Sequence, residues 1–308
     1  MSAISRRHLL TAGTTALCVS PLLSAAETSK AQPEFRYSLN FGTLYGFKLP
    51  IAEEIQIAAK AGYTAVEPWV GKLTEYQKNG GNLSDIKKML DDNGLAVAGG
   101  ISFFRWLIDD EVQRENGIEQ MKREMEVCLS IGGNRIAATA AGATNQRLDN
   151  FAVLGERYRR ILDIGEQLGI IPQLEVWGWS QTMHSLADVL AIAAHSGHPK
   201  AELLLDVFHL FRGGTLFDSL SLVHGKKMTN FHINDYPADK PRIEQEDKDR
   251  IYPGDGGAPL KKIVEILRTI GFNGFLSFEV FNKNYVETGD PLLVAKTGLE
   301  KMKAITAA

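Results

Sequence analysis

The chain has 308 residues, 44% of them hydrophobic and 23% charged, with a formal net charge of −3. That balance excludes a disordered chain and a protein made mostly of membrane spans, and the mild acidity argues against a nucleic-acid-binding surface. The length suits one barrel-sized domain of about 250 residues or two smaller ones.

Residues 1–26 read as an export signal. Arg6 and Arg7 in SRRHLL precede the mildly apolar run LLTAGTTALCVSPLLSAA, and Ser24 and Ala26 put small residues where a signal peptidase reads. Paired arginines resemble the twin-arginine (Tat) type, so the expected destination is the periplasm. The run is too weakly apolar for a good span of ~20 residues, so no stable membrane insertion is expected after cleavage. Cleavage removes two arginines and no acid, and leaves Cys128 without an intrachain partner. Residues 27–35 read as a polar linker and 36–308 as the folded domain.

From residue 36 onward, apolar strand-like runs alternate with amphipathic helical ones in eight rounds. The expected strands are YSLNF (37–41), AVEPWV (65–70), AVAGGIS (96–102), RIAATA (135–140), IIPQLEV (170–176), ELLLDVF (202–208), TNFHIN (229–234) and FLSFEVF (275–281). Each is short and apolar on both faces, as buried parallel strands are. The expected helices span 51–62, 83–94, 117–133, 151–169, 185–197, 216–225, 259–271 and 291–305. Gly62 and Gly94 stand where a helix ends in the left-handed conformation, and Ser185 with Asp188 matches a capping box. Eight alternating βα units imply an α/β fold, a single (β/α)8 barrel. An open doubly wound sheet normally shows a glycine-rich phosphate loop after its first strand, and NFGTLYGF (40–47) lacks that spacing.

Functional residues of such barrels gather at the C-terminal ends of the strands. Four consecutive strands carry metal-capable groups there: Glu175 in PQLEVWG, Asp206 in LLLDVFHL, His232 in NFHINDYP and Glu279 in LSFEVFN. Each interrupts a run that otherwise reads as core. A buried carboxylate without a partner is costly, and three at similar depth repel one another. One divalent cation relieves both problems. Three carboxylates and one imidazole suit Mn, Mg or Co better than a structural zinc, and four protein ligands leave an octahedral ion two positions for substrate oxygens.

With these residues the chain resembles the sugar phosphate isomerase/epimerase family, the xylose-isomerase-like TIM barrels, over its whole mature length. The resemblance is strongest from Glu175 to Asn282, with LLLDVFHL and PGDG its most specific segments. It implies that Glu175, Asp206, His232 and Glu279 bind one divalent metal. It also implies that Glu175 and Glu279 flank the substrate, one removing a proton beside a carbonyl and the other returning it through an enediolate. His209, in a D-x-x-H pattern with Asp206, contacts a substrate oxygen in that family, although it equally suits orienting Asp206. Glu67 is a candidate for binding a hydroxyl or for pairing with a lysine. Trp177, with Trp69, Trp179 and Phe208, is a candidate wall for a sugar face. The epimerases carry a substrate-binding arginine shortly after the strand-seven histidine, and Ala238 occupies that spacing here. Arg242 and Arg250, in the long polar loop 236–256, are candidate replacements, and the loop itself is a candidate lid.

The expected activity is a metal-dependent isomerase or epimerase of a free sugar or keto-sugar. The alternative is a lyase or dehydratase acting by β-elimination on 3-keto-glycosides or inosose-like ketones. The expected partner is a small-molecule sugar, and a homo-oligomer is compatible with the sequence. A DNA-repair endonuclease on this barrel needs further metal ligands on strands two to four, and IAATAAGA on strand four offers none.

Overall fold

The computed structural model describes residues 35–307. The expected export signal (1–26) lies outside them, as does the expected linker (27–35) except Phe35. Eight strands form: β1 (Arg36–Asn40), β2 (Ala65–Glu67), β3 (Ala96–Val97), β4 (Arg135–Ala138), β5 (Ile171–Glu175), β6 (Glu202–Asp206), β7 (Asn230–Ile233) and β8 (Phe275–Phe278). The helices are α1 (Ile51–Ala61), α2 (Val70–Lys78), α3 (Leu83–Asp92), α4 (Glu111–Ser130), α5 (Phe151–Leu168), α6 (Leu186–Ser196), α7 (Val207–Arg212), α8 (Leu260–Thr269), α9 (Lys283–Val286) and α10 (Pro291–Thr306).

All strand pairs are parallel, in the order β3-β2-β1-β8-β7-β6-β5-β4. The two ends of that order meet just past β3. There Gly100 donates to Arg135 O at 2.9 Å and accepts from Ala137 N at 2.8 Å, beside β4. Only glycine fits at this join, because a Cβ on residue 100 would stand 2.8 Å from Val70 Cγ2 and 3.0 Å from Cys128 Sγ. The result is the expected TIM barrel. Its strands are short and doubly covered, and every residue of β6 is buried. Ser185 and Asp188 form the expected capping box at the start of α6, and Gly62 closes α1 with φ 95°. No helix among the described residues is long and apolar enough to cross a membrane.

Several expectations need correction: the strand expected over 65–70 stops at Glu67 and Val70 opens α2, and the strand expected over 96–102 is only Ala96–Val97. The helix expected over 216–225 is instead a pair of 3-10 turns, Phe217–Leu222 and Gly225–Lys227. Ser219 and Ser221 hydroxyls donate to the carbonyls of Leu216 and Asp218, a local bonding pattern that competes with the α-helix. The strand expected to run to residue 208 stops at Asp206, whose Oδ1 accepts from His209 N at 2.8 Å and so caps α7.

The loop after β7 is pinned by one buried carboxylate. Asp235 accepts hydrogen bonds from the backbone N–H groups of Tyr236 (2.8 Å), Gly254 (3.0 Å), Gly256 (3.0 Å) and Ala258 (2.8 Å). Its own backbone exchanges two 3.0 Å bonds with Ile251. PGDG is therefore a turn clasped by Asp235, and Asp255 within it pairs with Lys301 on α10. Asp235→Ala would leave four N–H groups unpaired, at a cost of about 3 kcal/mol. The expected fall in Tm is on the order of 5–10 °C by calorimetry. An unchanged Tm would show that the clasp contributes nothing.

Candidate active site

The strand register brings the four predicted groups together. Asp206 lies level with His232 across β6 and β7, and His232 lies level with Ser277 across β7 and β8. Glu279 is two residues beyond Ser277, so it faces the same way one step higher. Glu175 lies level with Leu204 across β5 and β6, and Asp206 is two residues beyond Leu204. Because side chains alternate along a strand, all four share the inner face, and the steps follow the stagger of a barrel.

Three of them are close enough to share an ion. Ligand atoms of Asp206, His232 and Glu279 all lie within 4.8 Å of one another, and all three residues are buried. His232 Nδ1 is 3.2 Å from Glu279 Oε2 and 3.7 Å from Asp206 Oδ2, yet it is buried without a hydrogen-bond partner. Glu175 stands outside this triad, and its Oε2 is also buried without a partner. Ligand atoms of Asp206, His232 and Glu279 this close together, in a buried place, fit a divalent cation.

The ionisable groups of the arc perturb one another strongly. Burial pushes the Glu175 carboxyl up to about 8, and the nearby Glu279 and Asp206 push it the same way against His232. Burial likewise raises Asp206, against the pull of Arg250. Burial would raise Glu279 too, but His232 and Arg250 outweigh it and hold the group down at about 2. Burial disfavours charge on His232, yet Glu279 and Glu67 keep its proton on well above the usual range. His209 is held neutral by burial, then by Arg250 and His232.

Two of the candidate substrate contacts, Glu67 and Arg242, have their polar groups engaged by other parts of the chain. Glu67 is buried with both oxygens engaged: Oε2 lies 3.0 Å from His232 Nε2, and Oε1 accepts from Asn230 Nδ2 at 2.7 Å. Its partners are His232 and Asn230, not a lysine. It fixes the ring of His232 so that Nδ1 faces the carboxylates, the arrangement typical of a metal-ligating histidine. Gly99 makes room for this pair, since a Cβ there would lie 2.7 Å from Asn230 Nδ2. Arg242 is exposed, and its Nη1 donates to Arg212 O at 2.6 Å. It lies in the 3-10 turn Arg242–Glu244, none of whose residues is buried.

Arg250 behaves differently. It is 1% exposed, and its Nη1 donates to Asp206 Oδ2 and Glu279 Oε2, both at 2.8 Å. Its Nη2 lies 2.9 Å from His209 Nε2. Arginine can only donate, so His209 Nε2 accepts and its proton sits on Nδ1, which is buried without a partner. Sequence reasoning missed Asn234, whose Nδ2 donates to Asp206 Oδ2 (3.0 Å) and Glu279 O (3.2 Å) while its Oδ1 accepts from Phe208 N (3.0 Å). The signal was there: Asn230, His232 and Asn234 alternate, which puts all three on one face.

Aromatic rings close a collar above these groups. From His209 it runs to Trp179 (centroids 4.5 Å apart), Trp177 (5.6 Å), Phe103 (6.1 Å), Trp69 (5.3 Å) and Phe281 (6.3 Å). Arg250, 5.3 Å from the Phe281 ring and bonded to His209, completes the circle. Tyr45, 63% exposed, stacks on Trp69. These residues follow β1, β2, β3, β5, β6, β7 and β8, so nearly every strand end contributes. A separate cleft of about 390 Å3 opens at the strands' N-terminal ends, lined in part by Arg36, Lys87 and Arg135. Its lysine and Arg135 are already paired with Asp91 and Glu202, and the carboxylate arc lies at the other end of the barrel.

The profile described as "Xylose isomerase-like TIM barrel" matches residues 55–305. The chain belongs to that family. Among family relatives, an inosose isomerase of Bacillus velezensis is 27% identical over 265 residues, covering 83% of this chain and 92% of the relative. A 3-dehydroshikimate dehydratase of Pseudomonas putida is 22% identical over 76% of this chain and 36% of that longer protein. The solved IOLI protein, whose crystal structure carries a bound zinc atom, superposes with a TM-score of 0.81 at 23% identity. The match covers 89% of this chain and 98% of that one. These relatives are enzymes, and this xylose isomerase-like barrel carries a candidate metal centre.

The role of Glu67 is testable without a substrate. Glu67→Gln should loosen the His232 ring and weaken Mn2+ binding by about 10–100-fold in competition with a chelator. Wild-type affinity in that variant would show that Glu67 does not orient the ligand.

Proposed function

We propose that the chain is a divalent-metal-dependent isomerase or epimerase of an uncharged keto-sugar or inosose-like ketone, working through an enediolate. The observation that carries this reading is the arc of buried groups on β5 to β8: two glutamates bracket an Asp206–His232 pair. Glu175, Asp206, His232 and Glu279 are its metal ligands, with Mn, Mg or Co the favoured ions. When bound, the metal supplies the positive charge that stabilises the oxyanion formed beside the carbonyl.

This chain's residues supply the rest. Glu279 and Glu175 stand at opposite ends of the arc, so one can take the proton from the carbon next to the ketone while the other returns it. His209, with its proton on Nδ1 and no partner for it, donates to a substrate oxygen. The collar, Trp177 included, gives the apolar faces that a sugar ring stacks on and limits water around the transferred proton. Arg250 is the collar's one cation and already has three acceptor residues besides His209, which favours an uncharged substrate over a sugar phosphate. An export signal on residues 1–26 and a periplasmic location agree with a non-phosphorylated substrate.

A second reading keeps the same base and ends in β-elimination, making the enzyme a lyase or dehydratase. The dehydratase relative favours it. Incubating the Mn-, Mg- or Co-loaded protein in D2O with free ketoses, inososes and 3-keto-glucosides separates the two. Deuterium at an isomerised or epimerised carbon is the expected result, while loss of water or release of an aglycone marks elimination. Glu175→Gln should cut the rate by about 10²–10⁴-fold. Absence of solvent exchange and of product from every ketone, with metal bound, would overturn the proposal.

A further inference from the structure

Arg250 occupies ground that a metal ion needs. Its Nη1 lies 2.8 Å from Asp206 Oδ2 and from Glu279 Oε2. These are the same two oxygens that face His232 Nδ1. We propose that Arg250 is a displaceable internal cation: it holds Asp206 and Glu279 together in the metal-free protein, yields them to the divalent metal, and thereby sets metal affinity. This rests on the metal-dependent reading above.

Charge supplies the first reason. Asp206 and Glu279 are buried side by side, and without a counter-charge they repel in a medium that screens poorly. A guanidinium, always protonated, with two short bonds to the pair, supplies that charge from within the chain. The second reason is repulsion. A divalent ion that takes the same two oxygens must drive this positive charge off them and stays near it, so metal binding carries an energetic debit that Arg250 creates.

Geometry supplies the third. Only Nη1 is committed to the two carboxylates. Nε and Nη2 bond Asp247 Oδ1 at 3.1 and 2.7 Å, and Nη2 also contacts His209. The guanidinium is rigid and planar, so Nη1 leaves the carboxylates only when the whole group pivots on its side-chain torsions, with Nη2 keeping Asp247 as the anchor while the Nε bond is given up. The rings of Phe208 and Phe281 flank the guanidinium, at 4.9 and 5.3 Å. The backbone beside it is held, since Ile251 exchanges two hydrogen bonds with Asp235. The displacement is a side-chain event in an anchored loop.

The test is a Mn2+ titration of metal-stripped protein against a fluorescent chelator, comparing wild type with Arg250→Gln and Arg250→Lys. Arg250→Gln should bind Mn2+ on the order of tenfold or more tightly, with Arg250→Lys, which keeps the charge, nearer wild type. Metal-free Arg250→Gln should also melt lower than wild type and gain more in Tm when Mn2+ is added. Equal or weaker binding by a folded Arg250→Gln overturns this proposal alone. Absence of binding by all three proteins overturns the metal reading with it. Should the variant fail to fold, wild type still decides. The Arg250 Nε–H resonance of 15N-labelled protein, assigned through bonds, should shift as diamagnetic Zn2+ saturates the site, and an unmoved resonance at saturation contradicts displacement.

Discussion

Everything at the mouth of this barrel answers to one constraint: carboxylates of like charge buried on neighbouring strands. Asp206 is fully buried, and Glu175 and Glu279 are each 4% exposed. Desolvation and mutual repulsion both act against ionising them together. The surrounding architecture reads as a set of responses. His232 stands between the acids, Arg250 reaches in from the following loop, and Asn234 donates to Asp206 and to the Glu279 carbonyl. These measures leave His232 Nδ1 and Glu175 Oε2 without partners. A cation held by Asp206, His232 and Glu279 would give His232 Nδ1 a partner and offset their charge.

The second layer explains why the ligand geometry holds. His232 is gripped by Glu67 from β2, across the barrel, and Glu67 is gripped in turn by Asn230. Gly99 keeps their space clear. Such cross-barrel support fixes the face that the imidazole presents, which matters more for binding a metal than for stability alone. The loop after β7 is fixed by similar means, through the Asp235 carboxylate, so that Arg250 arrives from an anchored backbone.

Much of this was legible in the sequence. Eight alternating units give the barrel, and four polar interruptions at strand ends give the arc, because a charged residue in an apolar strand needs a reason. Asn230 and Asn234 were readable from the alternation around His232. Contacts between distant parts of the chain were not. Glu67 and His232 are 165 positions apart, and Asp206 and Arg250 are 44 apart. Nothing in YPADKPRIEQEDKDRIYPGDG distinguishes Arg250, which is buried, from Arg242, which is exposed. Only the Asp235 clasp and the 3-10 turns make that difference. The short α7 was hidden because Asp206 both ends a strand and caps a helix. The weak helix over 216–225 failed because serines there bond to nearby carbonyls.

The barrel scaffold is shared by isomerase, dehydratase and epimerase relatives and neighbours, so the fold does not choose the reaction. The choice lies in what the carboxylate arc holds. The most direct test is the anomalous diffraction of crystals of the Mn2+-loaded protein. One manganese per chain is expected, bound by His232 Nδ1 and by carboxylate oxygens of Glu175, Asp206 and Glu279. A manganese bound elsewhere, or an arc that stays empty in saturating Mn2+, would contradict the central claim.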